Sequence, residues 1–215
     1  MPGNGIHEFS NTGVRQVMKS LIRTPLGTHT ILVYPNLKTI REIYTNYIMM
    51  NGLTESELFV ILPYYETIES VKNNLMCDYA STKDYEEMKH DGSLVIQDSN
   101  TVLEQDIKSK TNFQPQPDTE IPNIIDFLNR VISHAKKINK KMISVWIDIG
   151  TFHNFGDGVE SLVNYERVFP ILFGKLPLKQ FCLYHQKDFE NRLNRHQQSE
   201  VLDEHQRRLM LVDNY

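Results

Sequence analysis

The sequence predicts an α/β fold built on a mostly parallel central sheet of at least five strands, and three observations carry that prediction. Five short segments rich in aliphatic and aromatic residues, Thr30 to Tyr34, Leu58 to Leu62, Leu94 to Gln97, Ile143 to Ile147 and Gln180 to Tyr184, alternate with longer segments of helical period. Alternation of this kind is the mark of βαβ units. The chain has 215 residues, 40% of them apolar and 23% charged, enough to bury roughly 70% of the surface its unfolded form exposes without a metal or disulfides. Finally, neither half holds enough strand segments for a sheet of its own, so the pattern describes one α/β domain.

Each element has its own local reason. Val14, Val17, Met18, Leu21 and Ile22 form a short helical stripe ahead of the first strand, read as an N-terminal extension over residues 1–26 that docks onto the domain or onto a second subunit. Leu37 to Met50 places Ile40, Ile43, Tyr44, Tyr47 and Ile48 at three- and four-residue steps, with Asn36 as N-cap and Gly52 just past the end. A second stripe runs through Ile124, Phe127, Leu128, Val131, Ile132 and Ala135. Lys136, Lys137, Lys140 and Lys141 gather at its end, where the helix dipole favours cations; an anionic partner site is the alternative reading. Ser109 to Pro122, with three prolines, reads as a loop. From His185 the chain is polar, and a last helix is expected from Ser199 to Leu211.

Composition removes several function classes. A net charge of -4 and a pI near 6.1 argue against a protein that coats phosphate backbones. The polar C-terminal stretch sets Lys187, Arg192, Arg195, Arg207 and Arg208 against six carboxylates, so nucleic acid is not an expected partner. Cys77 and Cys182 cannot make a disulfide scaffold. The first thirty residues carry Arg15, Lys19 and Arg23 and no apolar core of signal-peptide length, and the longest apolar run, Leu58 to Tyr65, is far short of a bilayer span. A cytoplasmic location without a membrane partner is the expectation.

In an open parallel sheet, ligands bind beyond the carboxyl ends of the strands. That rule gathers Tyr34, Asn36, Lys38 and Thr39 after the first strand, Tyr64, Tyr65 and Glu66 after the second, Gln97 and Asp98 after the third, Asp148, Thr151 and His153 after the fourth and Tyr184 with His185 after the fifth. Of these, Tyr34, Lys38, Tyr64, Tyr65, Glu66, Asp148 and Tyr184 are selected as ligand-binding candidates. Lys38-Thr39 has the ending of a phosphate-binding loop, but the motif's glycine positions hold Leu32 and Leu37, so a nucleotide cradle is not expected. Asp148 closes an apolar strand, as does the magnesium-binding carboxylate of phosphate-loop enzymes. Cys182 and His185, with His196 and His205 nearby, invite a metal reading; three residues apart on a strand they face opposite sides, so no metal site is expected from that pair. No nucleophile-elbow motif or Ser, His and Asp arrangement is visible, and neither catalytic residues nor a cofactor are assigned.

Taken in order, Gly27 to Tyr34 (GTHTILVY), Asn51 to Leu62 (NGLTESELFVIL), Gly92 to Asp98 (GSLVIQD), Tyr165-Glu166, Phe181 to Tyr184 (FCLY) and Glu204-His205 resemble the MEDS domain, the sensory domain of DcmR-like proteins of methanogens and methylotrophs. The resemblance spans residues 27–212. The same features are similar to the KaiC and RecA ATPase core, with Glu66 near the catalytic glutamate region. The resemblance implies a RecA-like, KaiC-like three-layer fold without assured ATPase activity. It also implies a non-catalytic sensory role in which a small organic ligand or a regulatory protein, a histidine kinase or a helix-turn-helix regulator, feeds transcriptional or two-component signalling. A homodimer is expected, on the N-terminal helix and the RecA-like habit of assembling. The alternatives are a nucleotide-binding ATPase with a degenerate phosphate loop, using Lys38, Glu66 and Asp148 with magnesium, and a regulator that touches DNA.

Overall fold

The computed structural model describes residues 13–52, 56–78, 82–108, 123–154, 158–173 and 176–211. The expected loop from Ser109 to Pro122 lies outside them. Among the described residues the chain runs α1 (Gly13–Ile22), β1 (His29–Tyr34), α2 (Leu37–Gly52), β2 (Glu57–Leu62), α3 (Ile68–Asp78), α4 (Thr82–His90), β3 (Leu94–Ile96), α5 (Ser99–Lys108) and α6 (Asn123–Lys137). It continues through β4 (Met142–Asp148), a 3-10 turn (Ile149–Asn154), α7 (Gly158–Phe173), β5 (Leu178–His185), α8 (Gln186–Arg192), α9 (Arg195–Asp203) and β6 (Arg207–Met210).

Six strands form one sheet in the order β3-β2-β4-β5-β1-β6, and every pairing is parallel. Parallel strands need covering helices on both faces, so they read as continuous apolar runs. β1 and β2 are accordingly buried at all six positions. One face carries Leu32, Tyr34, Phe59, Ile61, Trp146, Phe181, Leu183 and Leu209 under α1 to α4. The other carries Ile31, Val33, Leu58, Val60, Val145, Ile147, Cys182 and Tyr184 under α5, α6, α7, α8 and α9. This is the three-layer α/β architecture expected.

Local signals explain the boundaries. The Asn36 side chain accepts from the Thr39 amide at 3.0 Å, the N-cap of α2. Gly92, at φ +75°, turns the chain out of α4 and brings the Ser93 amide back to the Met88 carbonyl at 2.9 Å. Val17, Met18 and Leu21 of α1 are buried in the same core as α2, so the first helix spends its apolar stripe on this domain.

The C-terminal stretch corrects one expectation. In place of a helix from Ser199 to Leu211, α9 stops at Asp203 and residues Arg207–Met210 add a sixth strand beside β1. The physical reason is the edge of β1, whose backbone would otherwise be unpaired: the Gln206 amide donates to the His29 carbonyl at 3.1 Å and the Leu211 amide to the Val33 carbonyl at 2.8 Å. Leu209 then drops into the core beside Leu32. No described helix is long and apolar enough to cross a membrane.

Candidate functional site

Beyond the carboxyl ends of the strands, β5 lies between β4 and β1. Tyr34 ends β1 and Asp148 ends β4, and both point to the α2 side of the sheet. Their side chains meet across the end of β5, where the Tyr34 hydroxyl donates to Asp148 Oδ2 at 3.4 Å. Asp148 also accepts from the Gly150 amide at 3.1 Å and the Tyr65 amide at 3.4 Å. The Tyr65 hydroxyl donates to Asp188 of α8, and the Tyr64 hydroxyl to Asn154 at 2.6 Å. The two rings stand edge to face, 4.8 Å between centroids, and His185 lies 5.4 Å from the rings of both Tyr34 and Tyr65. Gly150 permits this packing: a Cβ there would stand 2.2 Å from the Tyr64 ring and 2.7 Å from that of Tyr65.

Asp148 is 5% exposed. Burial pushes its carboxyl up to about 7, against the pull of the amide and hydroxyl donors around it. Burial likewise raises the Tyr34 and Tyr65 hydroxyls, with the carboxylates beside them adding to the effect. Both therefore act as donors in the neutral range. Asp188 is held below the ordinary carboxylate range: its partial burial is outweighed by the hydrogen bonds from Tyr65 and Arg192.

The connection at the position of a phosphate-binding loop is short. β1 ends at Tyr34 and α2 starts at Leu37, leaving Pro35, which has no amide hydrogen, and Asn36. The donor at Thr39 is already taken by the Asn36 side chain. A helix N-terminus binds phosphate through free amides and an approaching glycine loop, and the two-residue connection before α2 contains no glycine.

The residues selected from the sequence separate into four places. Tyr34, Tyr64, Tyr65 and Asp148 share the cluster just described. Glu66, whose side chain is 5% exposed, accepts from Arg41 Nε at 2.7 Å, Asn74 at 3.1 Å and Ser70 at 3.2 Å, and its other oxygen accepts from the Tyr44 hydroxyl at 3.4 Å. It pins α2 to α3, with its acceptor capacity occupied by protein. Lys38 is exposed in the first turn of α2. Tyr184 is not in the crevice: it points to the opposite face, where its hydroxyl donates to Glu166 Oε1 at 2.5 Å. Side-chain alternation along β5 puts Tyr184 with Cys182 and leaves His185 to face Tyr34. Sequence reasoning did not single out Gly150 or Asp188, and neither had a local signal beyond its place after a strand.

A second polar cluster sits on the α7 side of the sheet, wholly buried. His29 Nε2 lies 3.0 Å from Glu166 Oε2 and 3.1 Å from Cys182 Sγ. His205 Nε2 lies 3.4 Å from the same carboxylate oxygen. The two imidazoles stack with centroids 3.9 Å apart.

No protein-family model matches the chain, and no curated protein matches it. Among solved structures it is similar to a KaiC-like protein of the hyperthermophilic archaeon Pyrococcus horikoshii, at 15% identity and a TM-score of 0.47 over 74% of this chain. It is also similar to the ORC1 protein of Aeropyrum pernix, solved in complex with DNA, at 10% identity and a TM-score of 0.42 over 94% of this chain. The chain spans 61% of the first and 44% of the second.

Proposed function

We propose that this chain is a RecA-like core that has given up nucleotide hydrolysis and works as a sensory binding module, receiving a regulatory protein on the face beyond its strand ends. One observation carries the reading: the β1 to α2 connection is two residues long, and a buried Tyr34 hydroxyl rests on Asp148 where a catalytic core would need room for phosphate and metal. The half-buried Tyr64 and Tyr65 form the rim of that face. Their rings pack on each other and on Gly150, an arrangement that favours a protein surface over a small-molecule cavity. A histidine kinase or a helix-turn-helix regulator is the class of partner that the MEDS resemblance implies.

Nucleotide binding through a degenerate phosphate loop stands second, favoured by the position of Asp148 at the end of β4, next but one to β1. Calorimetric titration with Mg-ATP separates the two readings. The expected result is no binding in the micromolar range; micromolar affinity that disappears in Lys38→Ala would promote the nucleotide reading. For the partner, a photo-crosslinking residue at Tyr64 is expected to capture a regulatory protein in the native host, and Gly150→Ala, which displaces both rings, is expected to abolish the capture. Capture unaffected by Gly150→Ala would detach the function from this face.

A further inference from the structure

We propose that His29, Glu166, Cys182 and His205 form a closed structural site for one tetrahedral divalent metal ion, zinc by its donor set. The four come from β1, α7, β5 and the turn between α9 and β6, and each offers one ligand atom within 4.8 Å of the others. Zinc binds thiolate at about 2.3 Å and imidazole nitrogen or carboxylate oxygen at about 2.0 to 2.2 Å. A tetrahedron with those bonds has ligand-to-ligand edges of about 3.3 to 3.7 Å. The distances here are 3.0 Å for His29 to Glu166, 3.1 Å for His29 to Cys182, 3.4 Å for His205 to Glu166 and 3.7 Å for Cys182 to Glu166. These four pairs lie within a few tenths of an ångström of such edges, and the widest pair of the cluster, at up to 4.8 Å, closes by about 1 Å around an ion.

The surrounding hydrogen bonds point the ligands inward. His205 Nδ1 lies 2.7 Å from the Val201 carbonyl and must carry its hydrogen there. Nε2 of the neutral ring then presents a lone pair to Glu166 Oε2, and this buried nitrogen has no hydrogen-bond partner. Two acceptors face each other with no hydrogen between them, and a cation at the centre satisfies both. The outer contacts are those of a ligated site: Tyr184 donates to the far oxygen of Glu166, and Gln180 Nε2 approaches Cys182 Sγ at 3.3 Å. One thiolate, two imidazoles and one carboxylate in four-fold arrangement select zinc over calcium or magnesium, which take oxygen ligands. Burial of all four residues closes the site to substrate, so its role is to tie α7 and the α9 to β6 turn to the sheet. The site is independent of the strand-end face, which lies across the sheet.

The test uses the full chain. Zinc is expected at one equivalent after dialysis against a weak chelator. Unfolding in a strong chelator and refolding without metal is expected to lower Tm, and refolding with Co(II) to produce tetrahedral visible bands with a thiolate charge-transfer band in the near ultraviolet. Cys182→Ser is expected to lose the charge-transfer band, and Tyr184→Phe to weaken zinc binding about 10- to 100-fold. If Cys182→Ser does not fold, the wild-type cobalt spectrum decides alone. A metal-free refolded chain with unchanged Tm and no cobalt–thiolate band would overturn the proposal and leave a hydrogen-bonded cluster.

Discussion

Two buried carboxylates sit on opposite faces of the sheet and are neutralised in different ways. Glu57, on the α2 side, has an ammonium partner: Lys179 Nζ lies 3.5 Å away, itself 3.1 Å from the Tyr47 hydroxyl, and Tyr47 and Ser144 both donate to the same carboxylate oxygen. Lys179 also stands over the Tyr47 ring, 5.6 Å from its centroid. Glu166, on the α7 side, is met by two imidazoles, a thiol and a hydroxyl, none of them a permanent cation. A buried charge must be compensated or lost. Lys179 brings Glu57 a permanent positive charge on one carboxylate oxygen, while the other oxygen, Oε2, is buried without a hydrogen-bond partner; Glu166 has no lysine or arginine beside it and meets the lone pair of His205 Nε2.

Removing the permanent counter-charge should have the largest effect. Lys179→Met leaves Glu57 buried and unpaired, with an expected loss of about 3 to 5 kcal/mol in urea denaturation followed through Trp146, the chain's one tryptophan. The double variant with Glu57→Leu should recover most of that loss, and failure to recover would show that the pair acts through packing. On the other face, Tyr184→Phe takes away the donor to Glu166 Oε1, a smaller loss of about 1 to 3 kcal/mol. Equal losses at the two sites would break the contrast between them.

Asp148 extends the comparison to a carboxylate with neither lysine nor imidazole in hydrogen-bond contact. Its carboxyl rises from the ordinary 3.8 to about 7 in the fold. The native state therefore holds a proton that the unfolded chain releases. Stability from this group is complete below about pH 4, falls as pH rises toward 7 and levels off above, with a slope of at most about 1.4 kcal/mol per pH unit. Asp148→Asn should flatten that part of the urea midpoint profile between pH 4.5 and 8; an unchanged profile would mean the carboxylate is solvated. The smallest effect belongs to a surface pair, Arg167 with Glu200 at 3.3 Å. Arg167→Ala is expected to cost less than about 1 kcal/mol, and a larger loss would show that α7 and α9 depend on it.

Much of the architecture was legible because it rests on local periodicity. The five apolar segments became β1 to β5 within a few residues at each end, and the stripes of α2 and α6 buried the faces their spacing prescribed. β6 was missed because Arg207 to Met210 has no strand period of its own and becomes a strand only where β1 offers an unpaired edge. Within the strand-end cluster, the order of elements was enough to place Tyr34, Tyr65 and Asp148 together. The placing of Tyr184 with Tyr34 and Asp148 turned on a parity that the sequence already contained, since Tyr184 alternates onto the face of Cys182 and away from that of Phe181, Leu183 and His185.

By itself, then, the sequence determined the α/β class, the placing of Leu32 and Leu37 where a phosphate-loop motif has glycines, and the face to which each strand residue points, because these depend on neighbours within a turn or a pleat. Only the tertiary structure decided what those residues meet. His29 and Cys182 are 153 positions apart, and their approach to Glu166 and His205 depends on which helix covers which face and on β6 docking against β1. The alternation argument correctly separated Cys182 from His185, yet no local pattern could bring in partners from three distant elements. Contacts of that range are settled by how the layers pack.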